Sequence, residues 1–298
     1  MIDPDKLLRW KFEEKIQEYS QRDTMLYALS LGFGTDPLDG WQLEHVLEDR
    51  LRAFPTMALV LAHPGPWTAQ PETGVNRKGV VHGEQILTIH RRLPAAARVK
   101  STNRVTAVID KGSTKGAVIQ TEREIYEVQT GHLLATLSGT TFCRRDGGFD
   151  STGQNTFGNP REEAPGSPKR EPDVVAHVST SRQAALLYRL NGDYNPIHSD
   201  PEAARESGFE RPIIHGLLTF GLAARLLEQT FSPLELGSIR ARFAATMFPG
   251  ETLTLRIWRD TDNLVWFSGI CKERDVEVLS KGQAVMVPKR LSDSRRSA

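Results

Sequence analysis

The chain has few cysteines and no visible metal-binding motif. Cys143 and Cys271 are the only cysteines in 298 residues, and they lie 128 positions apart. They form no disulfide framework, so the sequence indicates a reducing compartment, which we expect to be the cytoplasm, or the peroxisome only if the chain is eukaryotic. The C-terminal tripeptide Arg296-Ser297-Ala298 is not the Ser-Lys-Leu peroxisomal address. The eight histidines are scattered, so we expect no metal site.

Long apolar runs and an excess of either charge are also missing. No stretch approaches the ~18 apolar residues that a membrane-spanning helix needs, and residues 1–15 are too charged for a secretory signal. The net charge is +1 and the pI about 7.8, which gives no reason to expect binding to nucleic acid or to an anionic membrane. With 39% hydrophobic and 25% charged residues, the composition is that of an ordinary globular protein.

One change in composition divides the chain. Residues 146–172 contain five Gly and four Pro with almost no aliphatic residue, which is typical of a linker that runs over the surface. We therefore expect an N-terminal domain over residues 1–145 and a C-terminal domain over residues 173–298. Each is large enough for a core of its own.

The two pieces show the same pattern of an apolar helical segment followed by four strand segments. Buried helices are predicted over Leu51–Leu61 and Gly216–Thr230, which are apolar almost all round. Alternating apolar residues predict strands over 83–93, 98–110, 117–128 and 132–143, and again over 238–247, 251–259, 263–272 and 276–287. One buried helix wrapped by an antiparallel sheet, twice over, is an α+β architecture.

The most informative stretch is Gly192–His198. It places a carboxylate, Asp193, five residues before an imidazole, His198. On a continuous helix this offset is about 140° of rotation, so the two would not share a face. The Asn195-Pro196 break prevents a helix, and a turn can bring the two side chains together around one water, which they could activate. Taken singly, each residue could instead be a turn, capping or semi-buried residue.

A second element lies at the start of the predicted C-terminal helix. The N–H of Gly216 is unpaired within that helix and lies at the positive end of its dipole. A glycine lets a carbonyl oxygen approach the backbone closely, as in an oxyanion hole. The alternative is that Gly216 only allows the helix to pack tightly. His215 is interpreted as a structural residue.

These motifs resemble one family. The segments Tyr188–His198 and Pro212–Gly221 are closely similar to the MaoC-like (R)-specific 2-enoyl-CoA hydratases, and in particular to the hydratase 2 domain of peroxisomal multifunctional enzymes type 2. Further similar segments lie at 54–56, 81–85, 108–113, 241–243 and 248–251. The resemblance covers nearly the whole chain. Residues 144–150 depart from the family pattern, which is more Gly-rich there.

The resemblance implies a double hot-dog fold and reversible hydration of trans-2-enoyl-CoA to (3R)-3-hydroxyacyl-CoA in fatty-acid or related acyl-CoA metabolism. It implies that Asp193 and His198 activate the water, that Asn195 orients them, and that the Gly216 N–H binds the thioester oxygen. The substrate-binding positions that it implies are His82, Gly83, Lys111, Tyr194, Pro196, Ile197 and Phe243. The N-terminal half, which has no Asp-x-Asn-Pro-x-His motif, would form a non-catalytic acyl-chain pocket.

The same resemblance implies that the partner is the acyl-CoA substrate, that no metal or redox cofactor is required, and that the chain forms a homodimer. Two alternatives remain open. One is a hot-dog acyl-CoA thioesterase, because one fold can carry several chemistries. The other is a non-catalytic acyl-CoA-binding subunit. The spacing of the motif favours hydration over the first, and the intact acidic and basic residues argue against the second.

Overall fold

The computed structural model describes residues 1–261 and 263–289. The regular elements up to residue 158 are α1 (Pro4–Leu8), β1 (Lys15–Tyr19), α2 (Gln21–Ser30), α3 (Gly40–Leu43), β2 (Val80–Ile89), β3 (Ala97–Asp110), β4 (Ala117–Glu127), β5 (Leu133–Cys143) and β6 (Thr156–Gly158). Those that follow are β7 (Val174–Ser179), α4 (Ala184–Tyr188), α5 (Pro201–Glu206), α6 (Gly216–Phe231), β8 (Glu235–Phe243), β9 (Thr252–Arg259), β10 (Leu264–Cys271) and β11 (Val276–Val287). The C-terminal tripeptide Arg296–Ala298 lies outside the described residues.

The strands form one antiparallel sheet in which the second half repeats the first. The strand order is β1-β3-β4-β5-β2-β8-β11-β10-β9-β7, and β6 pairs with β3. Read from each outer edge inward, β1-β3-β4-β5-β2 corresponds to β7-β9-β10-β11-β8. The two halves meet where β2 pairs with β8, from Glu84 opposite Arg242 to Thr88 opposite Ser238. This is the double hot-dog arrangement, and it confirms the α+β class expected from the sequence.

Helix α6 is the central helix of the C-terminal half. It runs for 16 residues from Gly216, and most of them are buried because the sequence is apolar on nearly every face. The helix packs against β7, β8, β9 and β11. The prediction of a buried helix beginning at Gly216 is confirmed.

The corresponding α-helix of the N-terminal half is not formed. The prediction of a helix over residues 51–61 is wrong, because only Pro55–Leu59 are helical, as one short 3-10 segment. Phe54 is extended, with φ −74° and ψ 136°, since proline disfavours the α conformation in the residue before it. At the other end Ala62 has a φ of 43°. The segment still packs against α6, β2 and β5, so its apolar residues are buried as predicted.

The eight long strands predicted from alternation are all present, with ends shifted by a few residues. The first begins at Val80 instead of Gly83, and the fifth at Glu235 instead of Ser238. The segment 146–172 is mostly exposed, but it contains β6, and the Arg161 guanidinium donates to the Gly139 carbonyl over 2.8 Å. Among the described residues, no helix has the length and hydropathy needed to cross a membrane.

Candidate active site

The segment Gly192–His198 forms the tight turn that the sequence predicts. Gly192 has a φ of 114° and stops the preceding helical residues, which is a conformation that favours glycine. The Asn195 N–H donates to Asp193 Oδ1 over 3.2 Å, and Asn195 Oδ1 accepts from the Ile197 N–H over 3.3 Å. Asn195 therefore connects the Asp193 carboxylate to the 3-10 turn that ends at His198.

His198 and Asp193 lie in one cluster with His215. His198 is 7% exposed, and its Nδ1–H donates to the Ile213 carbonyl over 2.9 Å, since a carbonyl oxygen can only accept. Its Nε2 therefore carries the free lone pair. Burial lowers the pKa of His198, and the Ile213 hydrogen bond and the Asp193 charge only partly oppose this. His198 is thus neutral at pH 7 and can accept a proton, while Asp193 is exposed beside it.

His215 lies directly against His198. The two rings are stacked, with centroids 3.7 Å apart and planes 25° apart. The Nε2–H of His215 donates to the backbone carbonyl of Asp193 over 3.2 Å. Burial, and then the neighbouring His198, lower the pKa of His215 to about 4. A neutral ring therefore supports both residues of the predicted acid–base pair.

The same three residues form the one group of potential metal ligands found among residues 1–261 and 263–289. Their ligand-type atoms all lie within 4.8 Å of one another. One ring nitrogen of each histidine is already hydrogen-bonded to a carbonyl, of Ile213 and of Asp193 respectively. The free ring nitrogens and the exposed Asp193 carboxylate can together bind a small polar ligand such as a water molecule.

Gly216 begins α6, and its N–H has no hydrogen-bond acceptor within the described part of the chain. A β-carbon built at this position would lie 3.3 Å from the ring of Phe243, so glycine permits this close approach. The Phe243 ring in turn packs against the His82 ring, with centroids 4.7 Å apart. Phe243 thus packs between Gly216, which carries the free N–H donor, and His82 of the N-terminal half.

His82 lies on β2, close to the joint between the halves. Gly83 forms a bulge there, because the pairing of β2 with β5 shifts between His82 and Glu84. Solvent reaches the His82 ring through the cleft, yet desolvation by the surrounding protein lowers its pKa to about 4. The Asp193 charge opposes this shift, and it also acts on His63. Asp193 therefore faces the N-terminal half, and the candidate site lies between the two halves.

The other predicted substrate-binding residues of the turn surround this cluster. Tyr194 is 56% exposed, and the Arg189 guanidinium lies 4.8 Å from the centroid of its ring. Pro196 starts the 3-10 turn, and the Ile197 carbonyl accepts from the Ile213 N–H over 3.2 Å. These contacts keep the turn closed while leaving the Tyr194 ring accessible.

Lys111 is the predicted site residue that the structure places apart from the others. It follows β3 in an exposed turn, where its N–H donates to the Gly116 carbonyl over 2.9 Å. Its charge acts on Glu163, whose pKa is lowered mainly by Lys281, with Lys111 and Arg242 contributing. Lys111 therefore lies in the exposed turn after β3, near Glu163.

Two residues that the sequence interpretation missed, His63 and Arg123, line a cavity of about 260 Å³ that also contacts His82. Alternation could have revealed Arg123, because it falls on the same face of β4 as Ile119 and Ile125, which are buried. His63 lies in an irregular segment and gives no such signal.

A larger open groove of about 820 Å³ reaches His198 from outside. Two of its three arginines are already engaged. Arg274 pairs with Glu251 over 2.6 Å, and both Arg274 and Arg211 stack on the ring of Phe248. The third, Arg182, is exposed, and the groove gives solvent a path towards His198.

Known protein families match both halves of the chain. The MFE-2 hydratase 2 N-terminal domain matches residues 17–145, and the MaoC like domain matches residues 163–281. The chain is 34% identical over 290 residues to the peroxisomal enoyl-CoA hydratase 2 of Arabidopsis thaliana, with 93% of each chain covered. It is 36% identical over 251 residues to 3-hydroxyacyl-thioester dehydratase Y of Mycobacterium tuberculosis, with 83% of this chain and 84% of that protein covered.

A solved structure leads to the same family. The crystal structure of a MaoC-like dehydratase from Phytophthora capsici superimposes with a TM-score of 0.83 at 30% identity, covering 96% of this chain and 99% of that chain. Sequence and fold thus agree over nearly the full length of both proteins. The chain belongs to the MaoC-like hydratase family and, within it, to the hydratase 2 enzymes.

Proposed function

We propose that this enoyl-CoA hydratase adds water reversibly to trans-2-enoyl-CoA and forms (3R)-3-hydroxyacyl-CoA in fatty-acid or related acyl-CoA metabolism. The observation that carries the proposal is the grouping of three features at the joint between the halves. These are the exposed Asp193 carboxylate, the neutral His198 imidazole and the free N–H of Gly216.

The Gly216 N–H is the group that binds the thioester oxygen. It lies at the N-terminus of a 16-residue helix, where the dipole favours negative charge. Polarising the carbonyl makes C3 electrophilic and stabilises the enolate character that develops during addition. Oxyanion donors of this kind typically contribute ~2.7–4 kcal/mol to the transition state.

Asp193 and His198 hold the attacking water. The free Nε2 lone pair of neutral His198 accepts one hydrogen of this water, and the Asp193 carboxylate accepts the other. The water gives its hydroxyl to C3 and a proton to C2, so no atom is left over and the reverse reaction uses the same groups. A placed acid–base pair typically accelerates such a step about 10²–10⁴-fold.

The remaining predicted residues position the reactants. Asn195 orients the Asp193 carboxylate through the turn, and His215 supports His198 by stacking. The proposed substrate contacts are His82, Gly83, Lys111, Tyr194, Pro196, Ile197 and Phe243. Lys111 would supply a positive charge to the anionic CoA moiety.

The two halves have different tasks in this proposal. Residues 173–298 form the catalytic domain, residues 1–145 form the acyl-chain pocket, and residues 146–172 link them. The cavity beside His82 supports this division, because it lies in the N-terminal half and adjoins the ring that packs on Phe243.

Hydration of a short trans-2-enoyl-CoA by the purified protein tests the function. The enoyl-thioester absorbance should disappear without release of free thiol, and chiral analysis should find the (3R) product. When the thioester carbonyl is fixed at Gly216 and a single water is held on one side of the substrate, that water can reach only one face of the double bond. Release of free thiol at the same rate would instead indicate the thioesterase alternative, and a racemic or (3S) product would contradict this geometry.

We also propose that the chain forms a homodimer in the reducing cytoplasm. Cys143 and Cys271 are both buried free thiols, which suits a reducing compartment, and hot-dog proteins commonly pair through surfaces that one sheet leaves uncovered. Light scattering should give twice the 33.3 kDa of one chain. A mass of one chain at micromolar concentration would contradict the dimer, and fractionation of cells that express the tagged full chain tests the compartment.

A further inference from the structure

The cavity beside His82 has unusually polar walls for a pocket that holds an acyl chain. Its volume is about 260 Å³, and its lining includes the side chains of Gln85, Asn103, Thr121, Arg123 and Thr141, together with Glu122, whose carboxylate accepts from Arg104. Pockets for apolar ligands are lined mainly by hydrophobic and aromatic side chains with only a few polar groups. The polar side chains come from one face of β2–β5, which indicates a built surface rather than a solvated rim.

Arg123 is the most unusual of these residues. It is 9% exposed, and two of its N–H groups donate to the carbonyls of Leu59 and Leu61 over 2.7 and 3.2 Å. A guanidinium has five N–H donors, and the described residues provide no acceptor for the other three and no carboxylate in an ion pair. Burial lowers its pKa to about 10, so it stays charged at neutral pH. Buried charges are normally paired, which points to a partner that the chain itself does not supply.

His63 adds a further donor to the same cavity. Its Nδ1 accepts from the Gly65 N–H over 3.0 Å, so the proton of the neutral ring is on Nε2. Desolvation by the surrounding protein, and then the charge of Arg123, lower the pKa of His63 to about 3. The ring is therefore neutral and offers an N–H. Together His63 and Arg123 therefore offer the cavity one neutral and one charged hydrogen-bond donor.

The size of the cavity limits the chain that it can hold. The aromatic residues Trp10, Phe12 and Trp67 pack together beside it, with ring centroids 5.0 and 5.8 Å apart, and Phe12 and Trp67 form part of its wall. A volume of 260 Å³ is about nine times the ~30 Å³ that a water molecule takes up in the liquid. The cavity therefore has room for about nine non-hydrogen atoms, which is enough for the end of a short acyl chain.

We propose that this cavity binds the far end of a short acyl chain that carries a hydrogen-bond-accepting oxygen group, such as a carboxylate or a hydroxyl. The inference rests on the proposed hydratase function and names its substrate class. A carboxylate would accept two parallel hydrogen bonds from Arg123, and either oxygen group could also accept from His63. A terminal methyl group would leave the three remaining N–H donors of the buried guanidinium without an acceptor, which is unfavourable.

The test is a set of trans-2-enoyl-CoA thioesters of equal length that end in a methyl, a hydroxyl or a carboxylate group. We expect kcat/KM to rise in that order, with the carboxylate about 10–100-fold above the methyl compound, since hydrogen bonds to charged groups contribute more than neutral ones. The matching saturated acyl-CoA thioesters, measured by calorimetry, report the same preference in binding without turnover. The kcat/KM of the hydroxyl compound shows which kind of acceptor the cavity needs. A value close to that of the carboxylate compound would mean that a neutral acceptor is enough, and a value close to that of the methyl compound would mean that the acceptor must be anionic.

Two variants assign the preference to the cavity. Arg123→Met should abolish the advantage of the oxygen-bearing compounds, whereas Arg98→Met is the matched control. Arg98 lies on the neighbouring strand β3, is exposed, and is not among the residues that line the cavity. Because Arg123 also holds two backbone carbonyls, its loss could unfold the protein, so Asn103→Leu serves as a second cavity variant and should reduce the same preference.

The outcomes separate this inference from the proposed function. If the methyl-ended thioester binds and reacts as well as the other two, the inference is overturned although the hydratase function stands. If no thioester is hydrated but the oxygen-bearing ones bind more tightly, the hydratase function fails and the ligand preference of the cavity stands. Loss of the preference in Arg98→Met would place the responsible group outside the cavity and would also overturn the inference.

Discussion

Asp193 and His198 have different surroundings although they belong to one turn. His198 is buried and donates through Nδ1 to a backbone carbonyl, so its Nε2 is free and its pKa is lowered. Asp193 is exposed to the cleft, and its Oδ1 accepts one backbone hydrogen bond. His198 can therefore gain a proton during the reaction while Asp193 orients the water. Acid–base catalysis by a pair requires these two roles.

We expect Asp193→Asn and His198→Gln each to lower kcat by at least ~10²-fold, the low end for a placed acid–base group. Both changes nearly preserve shape, so the midpoint of thermal unfolding should change little. Steady-state hydration kinetics and circular dichroism measure the two quantities. Because both groups act on one water, the double variant should lose far less than the product of the two single losses. A single variant with nearly unchanged kcat would show that the assigned role is wrong.

Buried neutral histidines should make the fold sensitive to mild acid. Burial lowers the pKa of His45 to about 4, below the usual 6.5 of the unfolded chain. As the pH falls below 6.5, the unfolded state takes up the proton first, so the free energy of unfolding decreases until the pH reaches about 4. His215 acts in the same direction, whereas Glu228, whose burial raises its pKa to about 7, acts in the opposite one.

We therefore expect His45→Gln to lose less thermal stability than the wild-type chain between about pH 7 and about pH 5. Glutamine can still donate to the Arg52 carbonyl, which lies 2.7 Å from Nδ1 of His45. His132→Gln, at an exposed position, is the control and should behave like the wild type. Melting curves at the two pH values measure the effect, and equal losses in His45→Gln and wild type would contradict it.

At the scale of secondary structure, the N-terminus of α6 is where packing and chemistry meet. Gly216 is held against Phe243, and Phe243 against His82. A side chain at position 216 would therefore change both the space for the thioester oxygen and the contact between the two halves. The glycine is needed for close approach and not for an unusual backbone conformation.

We expect Gly216→Val to reduce kcat/KM by at least ~10²-fold, as loss of an oxyanion donor does. Gly216→Ala should show a smaller loss, because a β-carbon 3.3 Å from Phe243 needs only a small shift of that ring. Gly40→Ala is the control, since nothing lies within 4 Å of the added β-carbon at the start of α3. A fully active valine variant would remove the oxyanion role from Gly216.

The sequence predicts the elements whose signal is local. The turn from Gly192 is set by a glycine and by an Asn-Pro pair, and α6 is set by an apolar run, so both are predicted correctly. The helix over residues 51–61 is predicted wrongly, since apolar composition shows only burial and Pro55 determines the backbone. The edge strands β1 and β7 are missed because only Tyr19 among their residues is buried, which leaves little hydrophobic contrast.

The placement of the site residues depends on contacts that no local pattern specifies. The family resemblance names His82 and Phe243, but only the pairing of β2 with β8 brings them together. Arg123 is missed because an arginine in an alternating strand is normally assigned to the solvent face. Its burial depends on the backbone carbonyls of Leu59 and Leu61, which approach it only after folding.

At the scale of the whole molecule, the joint between the halves holds the site together. Besides the β2–β8 pairing, Arg240 and Glu84 form an ion pair of 2.7 Å in which both side chains are less than 20% exposed. Arg225 of α6 donates to the carbonyl of Leu31 in the other half over 2.8 Å. Neither half can therefore keep its native surface without the other.

The last prediction follows from this joint. A fragment of residues 146–298 retains Asp193 and His198 but exposes the backbone edge of β8, which is a template for pairing with other chains. We expect it to aggregate or self-associate and to lose the hydration of acyl-CoA thioesters that the full chain shows.

The matched control is the full chain with a protease site inserted after Gly166, an exposed glycine of the linker. After cleavage the two pieces should remain associated in size-exclusion chromatography and keep their activity, because the sheet and not the linker joins them. A monomeric fragment 146–298 with the activity of the full chain would show that the N-terminal half is not part of the site.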